Sequence, residues 1–155
     1  MTAVLVLCLG NPLRRDDGVG WRVADELERD PPPGAVIRRS ELSGLHLLDD
    51  MDGFDSVVLL DAVQSGRRPA GSIVEFPMDA LPATAGPTTH GIGLPTALRL
   101  ARAFGAPVPR HIHVVAVEVE DQASMGQGLN DSVARAVPAA VSAVRAAVAN
   151  VTRCR

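Results

Sequence analysis

Hydrophobic and polar residues follow two recurring patterns along this chain. Continuous apolar runs bounded by turn residues are typical of strands buried on both faces of a parallel sheet. Apolar residues three or four positions apart, with polar residues between them, predict helices that place one face on a core. The first pattern predicts strands at residues 3–9, 56–60 and 111–119. Residues 35–39 are a candidate for a further short strand, and the weak alternation of residues 72–76 favours another.

Helices are predicted between these strands and after the last one. The first helix follows Gly18 and is stopped by the proline-rich residues 31–34, and the last covers residues 129–151, interrupted only by Pro138. The inward-facing residues are expected to be Val19, Val23, Ala24 and Leu27 in the first helix, Leu45, Leu47 and Leu48 in a brief helix over residues 42–51, and Leu94, Ala97, Leu98, Ala101 and Phe104 in a helix that opens at His90.

The alternation of strands and helices predicts a three-layer α/β/α sandwich with a mostly parallel sheet of about five strands. The strand at residues 72–76 lies between Gly71 and Pro77 and is predicted at a sheet edge, in either direction. A length of 155 residues fits one domain, so residues 1–155 are interpreted as a single unit.

Composition excludes several classes of function. The formal net charge is −3, and adjacent arginines form only short local pairs such as Arg14/Arg15, so a nucleic-acid partner is not expected. All basic residues are arginine, which removes any mechanism that needs a phosphate-binding or Schiff-base lysine. Cys8 and Cys154 have neither a disulfide framework nor metal-ligand spacing.

The N-terminus has no basic segment followed by a cleavable apolar stretch. We identified no apolar run that approaches the roughly 18 to 20 residues needed to span a bilayer. We therefore expect a cytoplasmic protein with no membrane partner.

Candidate chemistry is concentrated where predicted strands end. Asp16 and Asp17 follow the first strand, Asp61 follows the strand at residues 56–60, and His90 follows a long loop. Because ligands of open α/β sheets bind at the carboxyl ends of the strands, these side chains are expected to meet there. Two carboxylates and an imidazole suffice for a borderline divalent metal such as nickel or zinc, with positions left open for water or substrate.

Each candidate also has a purely structural interpretation. Aspartate is a common helix cap, so Asp16, Asp17 and Asp61 could order turns, and His90 could cap a helix or be a satisfied loop histidine. The remaining histidines are weaker candidates, because their spacing pairs them with no acids: His46, His111 and His113. The chain also lacks the Gly-x-Ser-x-Gly elbow and the Gly-x-Gly-x-x-Gly dinucleotide fingerprint.

Three segments together resemble one enzyme family. Gly10-Asn11-Pro12-Leu13, followed by Asp16-Asp17-Gly18 and then Gly20, resembles the signature of the nickel-iron hydrogenase maturation endopeptidases. Residues 57–63 resemble the acid-bearing second core strand of that family, and residues 88–94 resemble its histidine-bearing helix start. The order and separations agree across nearly the whole chain, and three coincident motifs are more specific than one.

The resemblance implies a protease that removes a C-terminal extension from the hydrogenase large-subunit precursor after nickel insertion. The metal-contacting positions of the family carry over to Asp17, Asp61 and His90, with nickel supplied by the substrate. A loosely bound divalent metal in the isolated protein is a further implication. Asp16 is then the neighbouring acid of the catalytic set, which orders the turn or caps the helix rather than binding metal.

Two other classes of function remain open at this point. A non-catalytic module could use the same acids and histidine to recognise a metal-loaded partner. A metal-independent enzyme on a flavodoxin-like sheet is less favoured, because the chain lacks a phosphate-binding glycine loop and has only three Phe, one Trp and no Tyr to stack a flavin.

Overall fold

Five strands form one mixed sheet in a computed structural model that describes residues 3–80 and 93–154. The strands are β1 (Val4–Leu9), β2 (Ala35–Ser40), β3 (Ser56–Val63), β4 (Ile73–Pro77) and β5 (His111–Glu118). Their order in the sheet is β2-β1-β3-β5-β4. All neighbouring pairs are parallel except β4, which runs antiparallel to β5 at the edge. The predicted edge position of this strand is confirmed.

Helices cover both faces of the sheet. They are α1 (Val19–Arg29), α2 (Leu47–Met51), α3 (Leu94–Ala103) and α4 (Asp131–Arg153), with 3-10 turns at Arg15–Gly18, Gly44–His46 and Met78–Ala80. Buried residues of α1 and α4 share one core with the sheet, and those of α2 and α3 share the other. The predicted three-layer α/β/α sandwich is therefore confirmed.

Strand β1 shows why the sheet lies between two cores. Its six residues are all buried, and successive side chains of a strand point to opposite faces. Val4, Val6 and Cys8 join the core under α1 and α4, whereas the leucines at positions 5, 7 and 9 join the core under α2 and α3. The uninterrupted apolar run seen in the sequence is the direct result of burial on both faces.

Three sequence expectations need correction. Leu45 is 45% exposed, because the brief helix begins only at Leu47 and Leu45 lies in the preceding 3-10 turn. Phe104 is 86% exposed, because it follows the last residue of α3 and precedes Gly105, whose positive φ of 72° turns the chain away. Strand β3 continues to Val63, so Asp61 lies within the strand rather than after it.

Helix α4 modifies the expectation about membrane spans. It has 23 residues, and its most apolar window has a mean hydropathy of 1.3, so length and composition alone would allow it to cross a membrane. Its buried stripe, which includes Val133, Val137 and Val144, packs on the sheet in the same core as α1. We assign α4 to the core of the α/β sandwich on the basis of this packing.

Candidate active site

The turn between β1 and α1 folds back tightly on the end of β1. Gly10 has a φ of 141°, and a Cβ atom there would lie 2.0 Å from the carbonyl oxygen of Asp17. A Cβ atom on Gly20 would lie 2.2 Å from the carbonyl oxygen of Leu9. These two glycines of the motif are therefore required for the close approach of backbone to backbone that places the acids.

The Asp17 side chain is fixed by a hydrogen bond within this turn. Its Oδ2 accepts a hydrogen bond of 2.9 Å from the backbone N–H of Asn11, and the Asn11 side chain accepts one of 2.9 Å from the N–H of Leu13. Asp17 is half-buried. The segment that follows β1 thus fixes the direction of one carboxylate at the carboxyl edge of the sheet.

Asp61 comes to the same edge from the neighbouring strand. It pairs with Ala116 in the β3–β5 register, and its Oδ1 accepts a hydrogen bond of 2.8 Å from the N–H of Ala62. The pKa of Asp61 is raised from 3.8 to about 7: burial is the largest cause, the negative charge of Asp17 also raises it, and the Ala62 hydrogen bond lowers it. The two carboxylates are therefore close enough to interact.

Two interacting carboxylates in a partly desolvated position favour binding of a proton or a cation between them. Among the described residues, no group of three His, Cys, Asp or Glu side chains is placed to hold a metal ion. The third predicted ligand, His90, lies outside the described residues. The structure thus brings together Asp17 and Asp61 of the predicted set.

Asp16 points away from this pair and is fully buried. Its carboxylate accepts four hydrogen bonds from the segment between β5 and α4. The donors are Glu120 N at 3.1 Å, Asp121 N at 2.9 Å, Asn130 N at 2.7 Å and Asn130 Nδ2 at 2.9 Å. The neighbouring acids of the motif therefore contact different parts of the molecule.

Glu118 is a buried acid that the sequence reasoning missed. It is 2% exposed at the end of β5, and its carboxylate accepts hydrogen bonds from the N–H and hydroxyl of Ser65 and from the N–H of Gly66. Burial raises the pKa of Glu118, but these donors and the positive charge of Arg68 together outweigh burial and hold the pKa below its ordinary value. No sequence signal distinguishes this glutamate from the exposed Glu120 nearby.

The other histidines of the described residues lie elsewhere. His46 and His111 are exposed. His113 Nε2 lies 3.0 Å from Glu75 Oε1 on the neighbouring strand β4. On its other side His113 pairs with Val58 of β3, three residues before Asp61. At about 3.3 Å per residue this separation is about 10 Å along the strand.

This fold and site define an α/β protein with interacting acids at the carboxyl edge of a mostly parallel sheet, which is where open α/β sheets bind their ligands. The family model of the hydrogenase maturation proteases (HycI) matches residues 22–147, and the chain belongs to that family. The match includes Asp61 and His90, and begins after the Asp16–Asp17 pair.

Individual relatives agree with the family match. The hydrogenase 2 maturation protease of Escherichia coli is 28% identical over 94% of this chain and 90% of its own. The hydrogenase expression/formation protein HoxM of Azotobacter vinelandii is 30% identical over 86% of this chain and 67% of its own. The structure of the hydrogenase maturating endopeptidase HybD from E. coli superposes with a TM-score of 0.80 at 28% identity, covering 96% of this chain and 93% of that one.

Proposed function

We propose that this chain is an endopeptidase that removes the C-terminal extension of a nickel-iron hydrogenase large-subunit precursor after nickel insertion. Family membership supports the protease activity, and the names of the relatives connect it with hydrogenases. The single observation that supports a particular location for the active site is the interaction of Asp17 with Asp61 at the carboxyl edge of the sheet.

The metal in this proposal belongs to the substrate. Asp17, Asp61 and His90 contact nickel that the precursor already holds, and oxygen and imidazole ligands suit a borderline divalent ion. Such an ion can polarise a nearby amide carbonyl or lower the pKa of a bound water. The isolated protein, with a small ligand set of its own, would hold a free divalent ion only loosely.

The raised pKa of Asp61 gives this proposal a solution signature. With a pKa of about 7, the Asp61 carboxyl is partly protonated at neutral pH until a cation displaces the proton. Engagement of the metal-loaded precursor should therefore release a proton near pH 7. Calorimetry in two buffers with different ionisation enthalpies measures this release directly, and Asp61→Asn should abolish it.

The central experiment compares nickel-loaded and nickel-free precursor incubated with purified protein, with loss of the extension measured by intact mass. Cleavage of only the loaded form supports a nickel-dependent maturation protease. Cleavage of both forms would contradict the proposed role of nickel as the signal that the substrate is ready.

A non-catalytic module that recognises a metal-loaded partner is the alternative. The paired carboxylates favour it equally, because they could contact a metal without cleaving a peptide bond. Tight binding of the loaded cognate precursor without loss of mass would establish the module and overturn the protease.

A further inference from the structure

The carboxylate of Asp16 connects the first turn of the chain to its last helix. The four hydrogen bonds it accepts come from Glu120, Asp121 and Asn130, and Asp16 N donates a hydrogen bond of 2.9 Å to the carbonyl of Asp121. Asn130 immediately precedes the 23-residue helix α4. A buried carboxylate at a helix N-terminus is also favoured by the helix dipole.

Asn130 uses its side chain for this connection and not for its own helix. Asparagine is a preferred helix N-cap, because its side chain commonly accepts a hydrogen bond from the first turn. At Asn130 no such cap bond forms, and Nδ2 instead donates to Asp16 Oδ2 at 2.9 Å. Asn130 thus supplies two of the four donors to Asp16, one from its backbone and one from its side chain.

The backbone beside Asp16 is strained. Arg15 has a φ of 46°, in the left-handed region that non-glycine residues rarely adopt. Backbone bonds to the same segment hold it there: Arg15 N donates to Gly126 O at 2.9 Å, and Gly126 N donates to Leu13 O at 2.8 Å. Such a strained conformation persists only where surrounding contacts enforce it. Strained backbone is found most often at functional sites.

We infer that Asn130, acting through Asp16, is a positioning residue for the Asp17 carboxylate. If the Asn130–Asp16 contact is removed, the strained turn can relax toward negative φ at Arg15. Because Asp17 follows two residues later, its carboxylate would move away from Asn11 N and from Asp61. The inference deepens the proposed function and rests on it only for the effect on catalysis.

The test uses Asn130→Ala and Asn130→Asp in the full-length protein. Both remove the Nδ2 donor, but aspartate retains a preferred N-cap and adds a negative charge beside Asp16. If Asn130 only capped α4, the aspartate variant should behave like the native protein. If Asn130 is a positioning residue, aspartate should disturb the Asp17 position at least as much as alanine does. If Asn130→Ala does not fold, Asn130→Ser serves, because serine is also a preferred N-cap.

The matched control is Val137→Ala, which weakens the core packing of α4 about two turns after Asn130. The variants are compared under conditions where their overall stabilities are equal. The direct readout is hydrogen exchange at the Asn11 amide, because Asp17 accepts its hydrogen bond. We expect this exchange to be at least about tenfold faster in Asn130→Ala than in Val137→Ala.

The catalytic readout is the kinetics of cleavage of nickel-loaded precursor. We expect Asn130→Ala to lower kcat about 10- to 100-fold with little change in KM, as is typical when support for a ligand is lost. Equal Asn11 exchange in the two variants would overturn the inference whether or not the protein cleaves a precursor. Faster exchange with unchanged kcat, in a protein that does cleave, would overturn the link to catalysis.

Discussion

Asp61 and Glu118 lie near the carboxyl ends of neighbouring strands, and their environments shift their acidities in opposite directions. The strands pair in parallel, with Val63 aligned to Glu118 and Asp61 aligned to Ala116. Burial raises the pKa of both groups. The pKa of Asp61 nevertheless ends at about 7, whereas that of Glu118 ends below its ordinary value.

The difference lies in the partners of each carboxylate. Glu118 accepts three hydrogen bonds from Ser65 and Gly66, which stabilise its charged form inside the fold. Within the described residues Asp61 accepts one, from Ala62, and faces the like charge of Asp17. Glu118 therefore holds a loop, and Asp61 retains the capacity to bind a proton or a cation.

The largest expected effect is on catalysis. Asp17→Asn, Asp61→Asn and His90→Ala should each lower kcat/KM for nickel-loaded precursor by at least about a hundredfold, because each removes a proposed contact to the metal. The variants should remain folded by circular dichroism. Asp79→Asn, the same chemical change at an exposed carboxylate, is the control and should cleave normally. Normal cleavage by any one of the three variants would remove that residue from the site.

The second effect is on stability. Glu118→Gln should reduce the free energy of unfolding by about 2 to 3 kcal/mol, because an amide cannot accept all the bonds that reach this buried charge. Urea denaturation measures the change. Glu75→Gln makes the same change at a partly exposed residue and should cost well under about 1 kcal/mol. Equal losses at the two positions would contradict the role assigned to Glu118.

The pH dependence separates the two acids further. Because the folded-state pKa of Asp61 is raised above 3.8, the unfolded chain loses this proton first, and stability falls between about pH 4 and about pH 7. A rise to about 7 corresponds to at most about 4 kcal/mol, and partial solvent exposure reduces our expectation to about 2 kcal/mol. Asp61→Asn should remove this fall in urea denaturation across that range.

Glu118 should show the opposite dependence. Because its folded-state pKa is lowered, its contribution to stability is present above pH 4.5 and is lost as the pH falls through the folded-state value. Parallel pH profiles for Asp61→Asn and Glu118→Gln would mean that the two environments do not differ as described.

The smallest effect concerns a single donor to Glu118. Ser65→Ala removes the hydroxyl bond to Glu118 and the exposed bond that Arg67 N donates to this hydroxyl, but it keeps the backbone N–H bonds to Glu118. The free energy of unfolding should therefore fall by about 1 kcal/mol. Ser43→Ala removes a half-buried hydroxyl from another loop and is the control. A loss no larger than that of Ser43→Ala would show that the hydroxyl bond to Glu118 does not stabilise the fold.

Most of the fold could be predicted from the sequence, because burial on both faces gives β1 and its neighbours uninterrupted apolar runs. Errors occurred where an element ends. Leu45 and Phe104 continue the apolar spacing of a helix, but a 3-10 turn and a glycine remove them from the core. Spacing describes the inside of an element, whereas its end depends on turn geometry and packing.

The candidate site likewise contains residues that the sequence could predict and residues that it could not. Asp17 and Asp61 were predicted because they lie near the ends of predicted strands and in recognisable motifs, and the structure brings these two residues together. Asn130 and Glu118 carried no such signal, because their importance comes from hydrogen-bond partners far away in the sequence. Hydrophobic periodicity indicates which face of an element is buried. It does not indicate which distant backbone N–H groups donate hydrogen bonds to a given carboxylate.

The bond from Asn130 to Asp16 joins residues 114 positions apart. During synthesis at about 5 to 20 residues per second, Asp16 would be added to the chain about 6 to 23 s before Asn130. Contacts of such long range form late, since closing the intervening loop is entropically unfavourable until the rest of the sheet has assembled. A nascent chain therefore carries the acids of the motif without their native arrangement, and the arrangement appears only when the final helix docks.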